Sequence, residues 1–179
     1  MNKFAVYSHI RLTKKPSWLS TFRKAYLKEE YHVTLKQPCF IEKDQVSAIK
    51  RKLTALITKL DFKNNEIHIR FDKLVIEKEK ESGGKTIMIR ATNNKDIHIL
   101  QKEVTRILKG YGDYVLKESK QWERNFKPHI TIANSLGEKE YSSAKTFIGK
   151  DYTCEGIIDS FTFVYEKEDG RKVKINYKL

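Results

Sequence analysis

The sequence predicts an α+β fold: two pseudo-symmetric α/β lobes whose antiparallel sheets flank a central groove carrying two His-x-Thr motifs. Three observations lead there. The succession of strand, helix and hairpin occurs twice along the chain. Each copy opens on a strand with histidine at one position and threonine two places on: His32-Val33-Thr34-Leu35 and His129-Ile130-Thr131-Ile132. No Gly/Ser-rich linker separates the copies, so residues 1–179 are expected to form a single domain of two similar lobes, roughly 1–92 and 93–179, with room for strands to be exchanged between them.

Phe4 to Leu12 is rich in β-formers and reads as a strand. From Trp18 to Glu30, Trp18, Leu19, Phe22, Ala25, Tyr26 and Leu27 recur at helical spacing, with Ser17 as the expected N-cap. Tyr31 to Lys36 is a short strand that Pro38 is expected to end. Glu42 to Leu60 places Val46, Ile49, Leu53, Leu56, Ile57 and Leu60 on one helical face. Glu66 to Glu79 alternates as a strand and turns at Ser82-Gly83-Gly84 into a second strand, Lys85 to Ala91. Asp96 to Lys109 is a helix stopped at Gly110-Tyr111-Gly112. Residues 113–126 read as a loop or part of a strand. Pro128 to Ala133 is the second motif strand, Glu138 to Ile148 a helix, and Gly156 to Glu166 with Lys172 to Tyr177 a hairpin turning at Glu168-Asp169-Gly170.

Hydrophobic residues at 39% and aromatics at 11% can fill a core, while 33% charged residues give a highly polar surface. The net charge of +13 attracts polyanions, with nucleic acids, nucleotides and anionic surfaces as candidates. Cys39 and Cys154 form no C-x-x-C pair, and no Cys/His pairs stand at zinc-ligand spacing, so neither a metal centre nor a cofactor is expected. The first residues lack an apolar leader, and no run of about 18 apolar residues occurs. A cytoplasmic monomer with reduced, buried thiols is the expectation.

In a strand, side chains two apart share a face. His32 and Thr34 therefore point together, as do His129 and Thr131, while Val33, Leu35, Ile130 and Ile132 enter the other side. His9, His68 and His98 also precede isoleucine but lack the hydroxyl at i+2, and read as ordinary, partly exposed histidines. Lys36, four residues after His32, and Lys127, two before His129, share the motif parity and are candidates to bind phosphate, against the plainer reading of solvated lysines. Tyr7, Tyr31, Trp122, Phe126 and Tyr165 are candidates to stack on a base, against the plainer reading of core aromatics. Regular alternation turns Tyr31 away from His32.

The paired motifs, 97 residues apart, together with the duplicated layout, resemble the 2H phosphoesterase superfamily, which includes bacterial 2′-5′ RNA ligase-like proteins and RNA 2′,3′-cyclic phosphodiesterases. The resemblance spans nearly the whole chain. His32-Val33-Thr34-Leu35-Lys36, with Pro38 close behind, is similar to the first motif of the bacterial ligase-like branch, and Lys127-Pro128-His129-Ile130-Thr131-Ile132 fits the second. It implies that His32 and His129 are catalytic, that Thr34 and Thr131 bind phosphate, and that the same site is capable of 2′-5′ ligation, with hydrolysis the expected net direction in water.

The chemistry follows independently from the residue types. Opening a 2′,3′-cyclic phosphate needs a base for water and an acid for the departing ribose oxygen, and histidine titrates in the range that supplies both. Threonine hydroxyls can stabilise charge on the non-bridging oxygens. The expected substrates are RNA ends bearing a 2′,3′-cyclic phosphate or a 2′-5′ linkage. Two alternatives stay open: a phosphodiesterase for cyclic nucleotides or nucleotide-derived cyclic phosphates, and a non-catalytic basic RNA-binding protein. Which histidine is acid and which is base stays open as well.

Overall fold

Two antiparallel sheets carry the chain, and each is drawn from both ends of it. In the computed structural model, which describes residues 2–27, 29–79, 83–92 and 94–179, the strands are β1 (Asn2–His9), β2 (Arg11–Lys14), β3 (His32–Ile41), β4 (Ile67–Lys78), β5 (Lys85–Ala91), β6 (His129–Leu136), β7 (Cys154–Ile158), β8 (Ser160–Glu166) and β9 (Lys172–Lys178). The helices are α1 (Ser17–Tyr26), α2 (Gln45–Ile57), α3 (Lys95–Ile107), α4 (Ser119–Arg124) and α5 (Glu138–Phe147). One sheet has the order β3-β1-β8-β9 and the other β2-β7-β4-β5-β6.

The two motif strands, β3 and β6, are each an edge strand, and they pack against one another between the sheets. The hairpin that follows β3 in sequence, β4–β5, pairs with β6. The hairpin that follows β6, β8–β9, pairs with β1, which pairs with β3. The helices obey the same reciprocity: α1 precedes β3 but packs on β6, and α3 precedes β6 but packs on β3.

Burial explains why these segments hold their places. Val46, Ile49, Leu53 and Leu56 form the buried stripe of α2, and Ile97, Leu100 and Val104 that of α3. Leu19 and Phe22 bury one face of α1. Val33, Leu35, Ile130 and Ile132 enter the core from the motif strands. Asn94 caps α3, its Oδ1 accepting the Ile97 N–H at 3.0 Å. Gly112 must be glycine: its φ is +70°, and a Cβ there would sit 1.8 Å from the Phe40 carbonyl oxygen.

The structure departs from the sequence reading at five places. The single strand expected over 4–12 breaks at Ile10, and the one expected over 156–166 breaks at Asp159. At each break the chain passes from one sheet to the other, which a period of two cannot signal. Pro38 does not end β3, which runs on to Ile41. The proline sits on an edge strand inside a bulge, where Phe4 faces Cys39 but Val6 faces Lys36, so its missing N–H removes no regular ladder bond. Ser17 is the first helical residue rather than the cap: Pro16 occupies the cap position without a side-chain bond, and the helix stops at Tyr26 because Leu27 turns extended. Residues 113–126 contain α4 as well as loop. The expected turn at Ser82-Gly83-Gly84 has Gly83 at φ +69°, while Ser82 lies outside the described residues.

Candidate functional site

His32 and Thr34 on β3 and His129 and Thr131 on β6 are half-buried, with their aliphatic neighbours fully inside, so each strand presents a polar edge backed by core. Both histidines are held alike. The Nδ1 of His32 lies 3.0 Å from the carbonyl oxygen of Glu30, and the Nδ1 of His129 lies 2.8 Å from that of Lys127, in each case two residues back. A carbonyl only accepts, so the partner assigns the proton to Nδ1 in both rings and leaves both Nε2 atoms free to exchange protons. The two imidazoles are near enough for the charge of His32 to act on His129.

Their surroundings differ. Across β5, Arg90 is the direct partner of His129, and Met88 that of Thr131. Arg90 forms an ion pair with Glu77, its side chain is only 22% exposed, and its Nε is buried without a hydrogen-bond partner. Burial, then the Arg90 guanidinium and His32, outweigh the Lys127 carbonyl and Glu77, and hold the His129 pKa below its ordinary value.

Across β1, His9 is the partner of His32, and Tyr7 that of Thr34. The Tyr7 ring stands 5.2 Å from the His32 ring and 4.9 Å from that of His9. Glu30 serves both histidines, its carbonyl on His32 and its carboxylate 3.4 Å from the Nδ1 of His9. The sequence reading left His9 and Arg90 aside. The only signal for either is strand register, because each is defined by what stands opposite it.

Lys36 is not beside the histidines. Tyr7 faces Thr34 but Val6 faces Lys36, and this bulge upsets the alternation so that Leu35 and Lys36 both turn inward. The ammonium, 5% exposed, lies 3.1 Å from the Glu123 carboxylate, itself 9% exposed. Glu123 also accepts the Gln37 N–H at 2.7 Å and the Tyr114 hydroxyl at 2.8 Å, and Lys36 sits 4.2 Å above the Tyr114 ring. Burial works against the charged lysine, but Glu123 and Tyr114 outweigh it and raise the Lys36 pKa. Lys127 has an exposed side chain, and it is its carbonyl that meets His129.

Of the aromatic candidates, Tyr7 stands beside His32. Tyr31 turns into the core under Arg23, where burial pushes its hydroxyl up to about 12. Tyr165 is buried against Phe163, Phe126 packs on His98, and Trp122 is exposed on α4. Cys39 and Cys154 are buried free thiols, and burial raises both, Cys154 to about 11. Among the described residues no three His, Cys, Asp or Glu side chains converge on a metal position, and no helix is long and apolar enough to cross a membrane.

Residues 6–170 match the family described as the 2′-5′ RNA ligase superfamily. The fold is similar to that of Kluyveromyces marxianus Usb1 in two solved structures, one of them with uridine monophosphate. The TM-scores are 0.59 and 0.55; in both, identity is 10% and the match covers 99% of this chain and 98% of the other. No curated protein sequence matches the chain.

Proposed function

This chain belongs to the 2′-5′ RNA ligase superfamily, a family of 2H phosphoesterases, and from that premise we propose that it is a metal-independent phosphodiesterase opening 2′,3′-cyclic phosphates or 2′-5′ linkages at RNA ends. The observation that carries the reading is the matched seating of His32 and His129, each with Nδ1 on the carbonyl two residues back and Nε2 free.

The unequal surroundings of the two rings support an assignment of roles. Burial and Arg90 favour neutral His129, so its Nε2 is the base that takes a proton from water. The water oxygen bonds to phosphorus as a ribose oxygen leaves, and His32 Nε2 gives that oxygen its proton. Proton exchange with solvent restores both rings. Thr34 and Thr131 hydroxyls donate to the non-bridging oxygens, where charge collects. The two imidazoles supply both proton transfers, so the scheme calls for no metal ion. With a 5′-hydroxyl in place of water, the same ring opening joins two ends, the ribose oxygen again taking its proton from His32. That a protein of this fold, Kluyveromyces marxianus Usb1, is seen with uridine monophosphate supports a nucleotide end as the substrate.

The test is hydrolysis of a short RNA ending in a 2′,3′-cyclic phosphate, in EDTA, by wild type, His32→Ala and His129→Ala. Turnover by wild type alone is the expected result. Turnover restricted to mononucleoside cyclic phosphates moves the substrate to small nucleotides. Binding of RNA without turnover of either substrate overturns the enzyme reading.

A further inference from the structure

The face of the first sheet that carries His32 and Thr34 continues across all four of its strands. Thr34 faces Tyr7, Tyr7 faces Thr162, and Thr162 faces Asn176, so one row crosses β3, β1, β8 and β9. The Thr162 hydroxyl donates to Asn176 Oδ1 at 3.0 Å, which places both side chains on this face. The next row toward the other end holds Ala5, Val164 and Lys174. Ala5, Tyr7 and Val164 are half-buried, forming a smooth shelf, with Thr162 as its floor.

The far edge of the shelf is basic. Along β9, Val173, Ile175 and Tyr177 pack inward, while Lys172, Lys174, Asn176 and Lys178 alternate outward and are exposed. The Lys174 charge reaches His9. Lys178 is held by Asp159 at 3.3 Å, whereas among the described residues Lys172 and Lys174 form no ion pair. The row spans three inter-strand spacings, about 14 Å from the motif strand to the lysine edge. That width exceeds what a single nucleotide at the histidines occupies.

We infer that this sheet face is a track for single-stranded RNA, on which the nucleotides leading up to the reacting end stack along Tyr7, Ala5 and Val164 while their phosphates meet Lys174 and Lys172. The inference rests on the phosphodiesterase reading for its orientation, and it makes the substrate a polymer end rather than a free nucleotide. An aromatic and aliphatic shelf beside two lysines, Lys172 and Lys174, that form no ion pair among the described residues suits single strands, whose bases stack without sequence preference and whose backbone is drawn to cations. The net charge of +13 favours the same class of partner.

The experiment measures binding, which does not depend on turnover. A labelled single-stranded RNA hexamer with a 3′-phosphate and uridine 3′-monophosphate are titrated at several salt concentrations against wild type, Lys172→Gln/Lys174→Gln, and a control, Lys63→Gln/Lys109→Gln, that removes the same charge elsewhere. Wild type is expected to prefer the hexamer at least tenfold. The track variant should lose most of that preference and flatten the salt dependence by about 1.4 in log–log slope, as two single-strand phosphate contacts require. Equal affinity for hexamer and mononucleotide in wild type, or equal losses in track and control variants, overturns the track. Tighter binding to anionic vesicles than to the hexamer also overturns it. Hexamer preference without hydrolysis leaves the track and removes the phosphodiesterase; hydrolysis without hexamer preference does the reverse.

Discussion

Arg90 stands directly across the β5–β6 pair from His129, with its Nε buried and unpartnered and its guanidinium tied to Glu77. Across the β1–β3 pair, the residue facing His32 is His9 rather than an arginine or lysine. The duplicated motif is therefore set in unequal surroundings, and the inequality has consequences for rate and pH.

Replacing Arg90 by methionine removes a positive charge that disfavours protonated His129, so the His129 pKa should rise. With His129 as base, the ascending limb of the kcat/KM profile moves to higher pH. Glu77→Gln removes an opposing charge and should move the limb down. Burial is the largest cause of the depression, so neither change should return His129 to its ordinary value. Limbs that stay put in both variants would take His129 out of the base role. If Arg90 also meets the phosphate, Arg90→Met lowers kcat on the order of 100-fold, as loss of one transition-state contact does.

His32→Ala and His129→Ala should each lose nearly as much rate as the double variant, because a proton donor and acceptor act as one unit. Single-turnover rates of the three variants check this. Losses that multiply would mean that the two rings act independently.

Thr34→Val and Thr131→Val preserve shape and remove one hydroxyl each. A fall of about 10- to 1000-fold in kcat, with an unchanged Tm, is the expected outcome. A change confined to KM would assign the hydroxyls to ground-state binding.

Lys36 and Glu123 join β3 to α4 through a buried ion pair, and Tyr114 and the Gln37 amide complete the carboxylate's bonds. Lys36→Met leaves that carboxylate buried without its cation and should cost about 3–5 kcal/mol of stability. Lys36→Met/Glu123→Leu should recover part of the loss. Urea unfolding separates this from a phosphate-binding role, in which the single change would raise KM and leave the midpoint in place.

The motif strands were legible because a period of two is local: alternation alone puts His32 with Thr34 and His129 with Thr131, and sends Val33, Leu35, Ile130 and Ile132 to the core. The same rule failed at Lys36, because a bulge is a property of a strand and its partner together, and nothing in residues 32–36 records that Val6 and Tyr7 meet them out of step. It failed again at Ile10 and Asp159, where the chain changes sheets while its β-forming composition continues.

By itself, the sequence determined the order of the elements apart from α4 and the two strands that break between sheets, the duplicated His-x-Thr strands and a strongly basic composition. These follow from side-chain type and spacing along one segment. Only the tertiary structure decided that β3 and β6 are facing edge strands, that each hairpin serves the other motif strand's sheet, and that Arg90 falls beside His129 while Tyr7 and His9 fall beside His32. Those are pairings between residues far apart in the chain. Their free energy comes from burying several segments at once, so no single segment encodes them.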